Sequence, residues 1–453
     1  MKLILENIGK IKKAEIDLEH QLTVFLGPNN TGKTYVSYCL YGLSDRFFFG
    51  KDLELVGDLI DISLNGLYEK GHIEIDFIKV FLPVRRKLRE DYGNGFKDFL
   101  PRLFGNYESG KFDMSSVSLS FFDSDEIFTK YLKNNSLLDE VKLPFENGQS
   151  INFNKNANGI ISLNLSSNFL LEADKEFGGD RTAITNFLKQ YIMEVFFDTT
   201  IKDAFFIPAE RIGISSFGKD LILNRFSQTN SHNKGEKFTP YSLPVFDAIA
   251  NQFKITNTST RNSKIYSLLA EEIEIEVLGG KLSVDAAGNI FYGYDDKNVL
   301  SILYSASTIK SLSSLVFYLR YFAQEGQSLF IDEPEINLHP DNQRKIAKIL
   351  AKISNLGIKV FVSTHSDYII REFNNLMMLG KDSDETERLM TEYGYKKDEL
   401  LDYKKVGAYL FNVEGYPKQV DVTETGFAAE TIDETINNQN KASNDIKWTL
   451  FDE

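Results

Sequence analysis

The chain has 453 residues, of which 42% are hydrophobic and 26% charged, a balance typical of soluble globular proteins with two or three compact units. The formal net charge of -14 argues against a dominant non-specific nucleic-acid surface, although a local basic groove stays open. A single cysteine excludes an intrachain disulfide, and the sequence has neither a signal peptide nor an apolar run near the ~20 residues that span a bilayer, so we expect a cytoplasmic protein without a membrane segment.

The first predicted elements are short strands that lead into a glycine-rich loop. Strands are expected over residues 2–8, 14–19 and 21–26. The loop Gly27–Thr34 then has the spacing G-x-x-x-x-G-K-T and precedes a helical run. In such a loop backbone N–H groups point at phosphate oxygens, the lysine reaches the β- and γ-phosphates, and the threonine hydroxyl holds Mg²⁺. The predicted nucleotide-binding residues are Asn29, Asn30, Thr31, Gly32, Lys33 and Thr34, and Thr34 is also a predicted metal ligand.

The stretch from residue 46 to residue 200 carries no motif, and we predict that it forms an inserted α+β lobe. Helical patterns fall at 51–70 and 183–197, whereas period-two alternation predicts strands at 116–121 and 161–166. The stretch shows no sustained heptads, which argues against a long coiled-coil arm.

The second half of the chain alternates strands and helices, which is the pattern of a parallel α/β sheet. A strand is expected at 204–208, and alternation on both sides of Gly279 and Gly280 predicts a hairpin over 272–284. The remaining predicted elements are helices at 308–323, 340–353, 367–373 and 431–444, and strands at 328–332 and 358–363.

Two carboxylates follow each other at the end of the predicted strand 328–332, a position next to the phosphate loop in this architecture. We predict that Asp332 is the Mg²⁺ ligand, directly or through water, and that Glu333 is the general base for the attacking water. His365 ends the next strand and is a second catalytic candidate, bonded to the γ-phosphate or to the water. The segment Ser305–Lys310 begins a helix and suits an anion through its N–H groups and hydroxyls, with a simple N-cap as the alternative.

The order of these motifs resembles that of ABC-type ATPases of the SMC and OLD kind, and most of all that of the bacterial AAA_15-type group. The resemblance depends on the phosphate loop, the serine-rich helix start, the run Asp332–Pro340 with the sequence Asp-Glu-Pro-Glu-Ile-Asn-Leu-His-Pro, and Ser363–Ser366. It covers roughly residues 1–45 and 200–375. It implies an α/β ABC-type P-loop NTPase fold with a mixed sheet, and an ATP- and Mg²⁺-dependent ATPase that is slow and depends on dimerisation.

The domain organisation follows from the same resemblance. We expect residues 1–45 and 201–375 to form the ATPase core, residues 46–200 to form the inserted lobe, and residues 376–453 to complete the core. A short Pro-Ala-Glu-Arg motif after the strand at 204–208 is similar to one in these ATPases, and its Arg211 lies either near the nucleotide or in an ion pair with an acid such as Glu210.

The resemblance also implies a site that two chains share. Ser305 and Ser307 lie where the family has the ABC signature loop, which contacts the γ-phosphate of ATP held by the opposing subunit. This segment departs from the usual Ser-Gly-Gly pattern, because Ile309 and Lys310 stand where small residues are common. In the same way, Asn337–His339 resembles the dimer-interface loop of the family. His365 resembles its switch histidine.

Many members of the AAA_15-type group are ATPases of anti-phage defence, PARIS-type systems among them. The resemblance therefore implies a homodimer or larger homo-oligomer that senses an invader and controls a separate effector protein, a nuclease or toxin. An SMC-like DNA-repair or DNA-clamping ATPase is the alternative, against which the negative charge and the lack of long heptads weigh. DNA binding stays open but is not favoured. The tail is too short for the nuclease domain of OLD proteins, so we expect the effector in another chain.

Overall fold

The computed structural model of this chain describes residues 1–44, 72–76, 78–79, 82–134, 140–144, 150–155, 160–165, 201–218, 241–255, 263–295, 298–428 and 430–450. The strands are β1 Lys2–Ile8, β2 Ile11–Asp17, β3 Leu22–Leu26, β4 His72–Asp76, β5 Ser116–Leu119, β6 Glu140–Pro144, β7 Ser150–Lys155, β8 Ile160–Leu165, β9 Phe205–Ile207, β10 Lys281–Val284, β11 Ile290–Gly293, β12 Val299–Ser301, β13 Ser328–Asp332, β14 Lys359–Thr364, β15 Val406–Leu410 and β16 Lys418–Val420.

The helices used below are α1 Lys33–Gly42, α2 Arg85–Phe104, α3 Asp125–Asn134, α4 Leu243–Phe253, α5 Lys264–Ile273, α6 Ser307–Phe317, α7 Pro340–Asn355, α8 Asp367–Met378, α9 Asp384–Tyr393 and α10 Glu430–Leu450. Two of them, α5 and α6, continue into π-helical turns, Glu274–Leu278 and Tyr318–Phe322. No helix of the described residues has both the length and the apolar composition that a bilayer crossing needs.

The chain divides into two compact units. The first consists of residues 1–4, 45–99 and 115–200, and the second of residues 5–44, 100–114 and 201–453. Within the first unit, β4, β8, β7 and β6 form an antiparallel sheet in that order. The rings of Phe121, Phe122 and Phe128 pack together beside the start of α3, where Arg85 pairs with Asp125 at 2.8 Å.

The second unit is built on a six-stranded sheet in the order β16-β15-β3-β14-β13-β9. Its neighbours are parallel except for β15 and β16, which are antiparallel, so the sheet is mixed and the fold is α/β, as predicted. The side chains of β3 and β13 are all buried, which explains why both strands read as continuous apolar runs in the sequence.

The two faces of this sheet have different side chains. On one face the rings of Phe25, Phe361, Phe330 and Phe206 follow each other across β3, β14, β13 and β9, with 4.6 Å between the centroids of Phe330 and Phe361. The opposite face is aliphatic, with residues such as Val24 in the main core cluster. The two-residue period of the strands thus separates an aromatic layer from an aliphatic layer.

Most of the predicted elements are confirmed. The predicted strands at 2–8, 21–26, 116–121, 161–166, 204–208, 328–332 and 358–363 correspond to β1, β3, β5, β8, β9, β13 and β14, and the predicted helices at 308–323, 340–353, 367–373 and 431–444 correspond to α6 with its π turn, α7, α8 and α10. The second strand begins and ends earlier than predicted, at Ile11–Asp17 instead of 14–19. The predicted helices at 51–70 and 183–197 lie outside the described residues.

The predicted hairpin at 272–284 is wrong. Helix α5 instead continues through its π turn and ends at Gly279, which has the left-handed φ of 64° common at helix C-termini. The alternation was misleading because Glu274 does not face solvent: its buried carboxylate pairs with Arg320 at 2.7 Å. Strand β10 begins only at Lys281 and pairs with β11.

Candidate phosphate and catalytic site

The glycine-rich loop joins β3 to α1, and its backbone requires glycine at two points. Gly27 and Gly32 have φ angles of 126° and 102°. A Cβ on Gly27 would lie 2.3 Å from the carbonyl oxygen of Phe411, and a Cβ on Gly32 would lie 2.5 Å from Cδ1 of Ile11. Both glycines are thus closely covered by neighbouring atoms and have backbone angles that residues with a side chain rarely adopt, which explains the glycine spacing of this loop.

Lys33 is the cation of this loop. Its side chain is buried, and its Nζ donates hydrogen bonds to the carbonyl oxygens of Gly27 at 2.9 Å and Pro28 at 2.8 Å. Burial lowers the pKa of Lys33 to about 8, against the charges of Glu333 and Asp332, which raise it. The ammonium is therefore protonated at neutral pH and poorly solvated, so a phosphate is a favourable partner for it.

The other predicted residues of the loop divide into two groups. Asn29, Asn30 and Thr34 are exposed. Thr31 is buried, and its hydroxyl donates to the carbonyl oxygen of Pro28 at 2.8 Å, which closes the loop internally. No side chain caps the first turn of α1, so the positive end of this helix is open to an anion.

An open cleft adjoins the loop. Its volume is about 1040 Å³, and its lining includes Asn30, Thr34, Tyr35, Lys10 and Glu210. This volume is at the upper end of that of small-molecule sites and is large enough for a nucleotide.

Asp332 is the last residue of β13, which is separated from β3 by one strand, β14. The register places it opposite Ser363 of β14, whose hydroxyl donates to Oδ1 of Asp332 at 2.6 Å. Burial raises the pKa of Asp332 to about 6 despite this hydrogen bond. A buried carboxylate with so little hydration is suited to a hard cation, and with the Thr34 hydroxyl it supplies the oxygen ligands that Mg²⁺ prefers.

The described residues do not form a metal site made only of protein side chains. The described part of the chain contains no group of three or more His, Cys, Asp or Glu side chains arranged to hold a metal ion. Mg²⁺ in nucleotide sites is commonly held by one or two protein oxygens together with substrate phosphates. The donors Thr34 and Asp332 fit this mode of binding.

Glu333 follows Asp332 in an uncommon backbone conformation, with a left-handed φ of 47°. Its N–H donates to the carbonyl oxygen of Ser363 at 2.9 Å. Nε2 of His365 lies 3.5 Å from Oε1 of Glu333, and hydrogen bonding to His365 lowers the pKa of Glu333 although burial opposes it. Glu333 is therefore a carboxylate at neutral pH, as a proton acceptor must be. The structure brings both predicted catalytic residues together.

Glu335 is a site residue that the sequence reasoning missed. Its Oε1 accepts a hydrogen bond from the backbone N–H of His365 at 2.6 Å, and burial raises its pKa. The carboxylate, which follows the end of β13, thus fixes the main chain at His365, just after the end of the neighbouring parallel strand β14. The Glu-Pro-Glu spacing was the available signal, because the second glutamate follows Glu333 by two residues.

For Arg211 the sequence left two positions open, near the nucleotide or in an ion pair with an acid such as Glu210, and the hydrogen bonds of its guanidinium are with other groups. The guanidinium is fully buried and donates to the carbonyl oxygens of Asp332 and Glu333, each at 2.7 Å, and to the hydroxyl of Ser311 at 3.0 Å. Burial lowers the pKa of Arg211 to about 10, so the guanidinium stays charged at neutral pH.

Ser305 and Ser307 lie at the start of α6, and neither lines the cleft beside the phosphate loop. Ser305 is buried and its hydroxyl donates to the carbonyl oxygen of Ser301 at 3.2 Å. Ser307 is exposed. Thr308 donates to the carbonyl oxygen of Asn337 at 2.8 Å, so the helix start is bound to the segment that follows the two carboxylates.

Comparisons with known proteins identify a family for the chain. The family model AAA_15, described as an AAA ATPase domain, matches residues 1–370. No curated protein matches the chain significantly.

Solved structures with similarity to the chain include SMC heads. An SMC head bound to the C-terminal winged-helix domain of ScpA is 13% identical, with 92% of this chain and 96% of that chain covered and a TM-score of 0.32. The SMC head domain from Thermotoga maritima is 12% identical, with 93% and 98% covered and a TM-score of 0.32. An SMC head from Pyrococcus furiosus with an extended coiled coil, bound to the C-terminal domain of ScpA, is 11% identical, with 97% and 98% covered and a TM-score of 0.31. The assignment depends on the family model, which spans well over half of the sequence: the chain belongs to the AAA_15 family and carries an AAA ATPase domain.

Proposed function

We propose that this protein binds ATP with Mg²⁺ and hydrolyses it slowly at the site formed by Lys33, Asp332 and Glu333. One observation carries the proposal: the start of α1 and the end of β13 bring one desolvated cation and two carboxylates so close together that both carboxylates act on the charge of Lys33. Residues 27–34 supply the backbone donors for the phosphates.

Each side chain has a distinct role in this proposal. Lys33 neutralises charge on the β- and γ-phosphates, while Thr34 and Asp332 hold the metal. When bound, Mg²⁺ stabilises the negative charge that develops on the transferred phosphoryl group. Glu333 accepts a proton from the attacking water, and His365 keeps the Glu333 carboxylate charged and oriented.

We further propose that Ser305 and Ser307 act on ATP bound by a second copy of the chain. Ser307 is exposed, and the neighbouring Tyr304 side chain is 81% exposed, which is unusual for a large aromatic side chain outside an interface. The exposed Ser307 hydroxyl can donate to a phosphate oxygen of another subunit directly, whereas the Ser305 hydroxyl would first have to leave the carbonyl oxygen of Ser301.

The biological role that we propose is that of the ATPase subunit of an anti-phage defence system, which controls a separate nuclease or toxin. The net charge of -14 supports a basic protein partner rather than bare nucleic acid. An SMC-like DNA-repair or DNA-clamping ATPase is the competing function, and it is also compatible with the family.

Two measurements test this proposal. Purified wild-type protein should release phosphate from Mg²⁺-ATP. Glu385→Gln, a control at an exposed glutamate on α9, should do so equally fast, whereas Glu333→Gln should do so far more slowly. Absence of hydrolysis by the wild type under all Mg²⁺ and oligomer conditions would reject the ATPase.

The second measurement separates defence from DNA clamping. Cells that carry this gene with its neighbouring genes should resist phage, and the Lys33→Ala variant should remove the resistance. If Lys33→Ala leaves resistance unchanged, or if the purified protein binds DNA tightly in a strongly salt-dependent manner, the DNA-clamping function is favoured instead.

A further inference from the structure

Arg211 is the largest of the fully buried side chains in the described part of the chain, with 1% exposure. Its donors reach three separate places in the fold. Nη1 donates to the carbonyl oxygens of Asp332 at 2.7 Å and Pro208 at 3.2 Å, and Nη2 donates to that of Glu333 at 2.7 Å. Nε donates to the hydroxyl and the carbonyl oxygen of Ser311 on α6, at 3.0 and 3.1 Å.

A second buried arginine shows how unusual this is. Arg320 is 5% exposed, and its guanidinium is neutralised by the Glu274 carboxylate at 2.7 Å. The charges of nearby carboxylates, that of Glu335 most of all, offset part of the cost of burying the Arg211 guanidinium, but its short hydrogen bonds go to carbonyl oxygens. Burying a charge is costly, so an arginine whose only task were packing would be better replaced by an apolar side chain. The arrangement suggests that Arg211 has a task at the carbonyl groups that it holds.

The carbonyl groups of Asp332 and Glu333 belong to the peptide groups on either side of the Glu333 Cα. The orientation of these two peptide groups determines where the Glu333 side chain points. Glu333 has the left-handed φ of 47°, which costs energy in a residue with a side chain. Its N–H donates to the carbonyl oxygen of Ser363, and its carbonyl oxygen accepts hydrogen bonds from Arg211 and from the N–H of Ile336 at 3.1 Å. Both ends of the residue are therefore fixed, and Arg211 supplies the one of these three hydrogen bonds that comes from a side chain.

Ser311 extends this connection to α6. Its hydroxyl accepts a hydrogen bond from Arg211 and donates one to the carbonyl oxygen of Ile336 at 3.0 Å. The hydroxyl of Thr308, one turn earlier on α6, donates to the carbonyl oxygen of Asn337. The helix that begins at Ser307 is thus joined by hydrogen bonds to the segment that follows Glu333.

We propose that Arg211 is a positioning residue that fixes the main chain of Glu333 and links it to α6, so that a displacement of the start of α6 changes the placement of the Glu333 carboxylate. This inference rests on the proposed ATPase function. It means that contact of Ser307 with a ligand or partner would be transmitted to the catalytic carboxylate through Ser311 and Arg211.

The test is an Arg211→Lys variant, which keeps the charge but cannot reach all of these carbonyl groups with one ammonium. We expect ATP affinity, measured by equilibrium binding, to stay near the wild-type value while kcat falls by about 10²-fold, the cost expected when a reacting group is misplaced. In the Glu333→Gln background, Arg211→Lys should cause no further loss of kcat, because Arg211 acts only through Glu333.

The matched control is Arg320→Lys, which weakens the other buried arginine without touching Asp332 or Glu333. It should lower the melting temperature without lowering kcat per folded molecule. Ser311→Ala is a smaller change that removes one acceptor of Arg211. It should lower kcat less than Arg211→Lys does, again at unchanged ATP affinity. If Arg211→Lys does not fold, Ser311→Ala takes its place as the test variant.

Three results would overturn the inference. These are an unchanged kcat in both Arg211→Lys and Ser311→Ala, a loss of ATP affinity that accounts for the whole effect, or additive losses in the Arg211→Lys, Glu333→Gln double variant. Failure of the wild type to hydrolyse ATP would instead reject the proposed function, so the two failures are distinguishable.

Discussion

The phosphate loop and the start of α6 are assigned to one reaction, but they differ in how many partners they have within this chain. Around the loop, Lys33 at the start of α1 and the consecutive carboxylates Asp332 and Glu333 at the end of β13 act on each other electrostatically. At the start of α6, Ser305 is bonded only a few residues away and Ser307 faces solvent. We infer that one chain can bind the nucleotide alone, whereas the serines require a ligand from outside the chain.

The largest effect is expected at the self-contained region. Lys33→Ala should abolish ATP binding, because the loop loses the only lysine that it places against the phosphates. Equilibrium binding of labelled ATP measures this. The control is Lys352→Met, which removes another buried lysine. Lys352 lies on α7, away from the phosphate loop, and pairs with Glu272 at 2.8 Å, so its replacement should leave ATP affinity unchanged. If Lys33→Ala binds ATP with wild-type affinity, the phosphate loop is not the region that binds the nucleotide within one chain, and the inferred difference between the two regions is wrong.

The next effect separates binding from chemistry. Glu333→Gln should retain ATP binding and lower turnover by about 10² to 10⁴-fold, the contribution of a general base. Single-turnover phosphate release is the measurement, with ATP-bound dimers expected to accumulate. If hydrolysis stays near normal, Glu333 is not the base and His365 becomes the candidate.

A third prediction uses Cys39, the only cysteine, which is fully buried on α1. Burial raises the pKa of its thiol, so alkylation of the native protein should be slow. In the Glu333→Gln variant, ATP at 100 times its Kd should slow alkylation further, by up to about 100-fold, because the ligand stabilises the folded state. Mass spectrometry follows the reaction. No effect of ATP would mean that α1 is not part of the nucleotide site.

The smallest expected effect concerns the region that needs a partner. Lys33→Ala and Ser307→Arg should each lack turnover, but a mixture of the two variants should regain some. A mixed dimer would combine an intact loop from one chain with an intact serine from the other, which gives one competent site. Phosphate release from the mixture is compared with that from each variant alone. A mixture that remains inactive, or a proven monomer that is fully active, would contradict the shared site.

Local patterns in the sequence were sufficient to predict the strand, loop and helix ends at which several candidate site residues lie. The loop Gly27–Thr34 can be recognised from its sequence alone, because the glycines that shape its backbone and the lysine and threonine that face the ligand all lie within eight consecutive residues. Asp332 and Glu333 could be located because an apolar run ends at them. In both cases the physics that fixes the structure acts between residues close in the sequence.

Contacts between distant segments could not be predicted in this way. Arg211 acts on the carbonyl groups of residues 332 and 333, and nothing in its own neighbourhood indicates that partner. The predicted hairpin failed for the same reason, since the burial of Glu274 against Arg320 is invisible in the alternation of residues 272–277. A tertiary ion pair made a polar residue behave as a core residue.

The match to the family model ends at residue 370, whereas the main sheet includes two strands that follow this residue, β15 and β16. Strand β15 lies parallel to β3, and the N–H of Phe411 donates to the carbonyl oxygen of Leu26 at 2.7 Å. A truncation after residue 370 would strip this neighbour from β3 and leave its backbone groups exposed along a bare edge. Such edges recruit strands from other molecules, so the family-matching part alone should aggregate instead of behaving as a minimal ATPase.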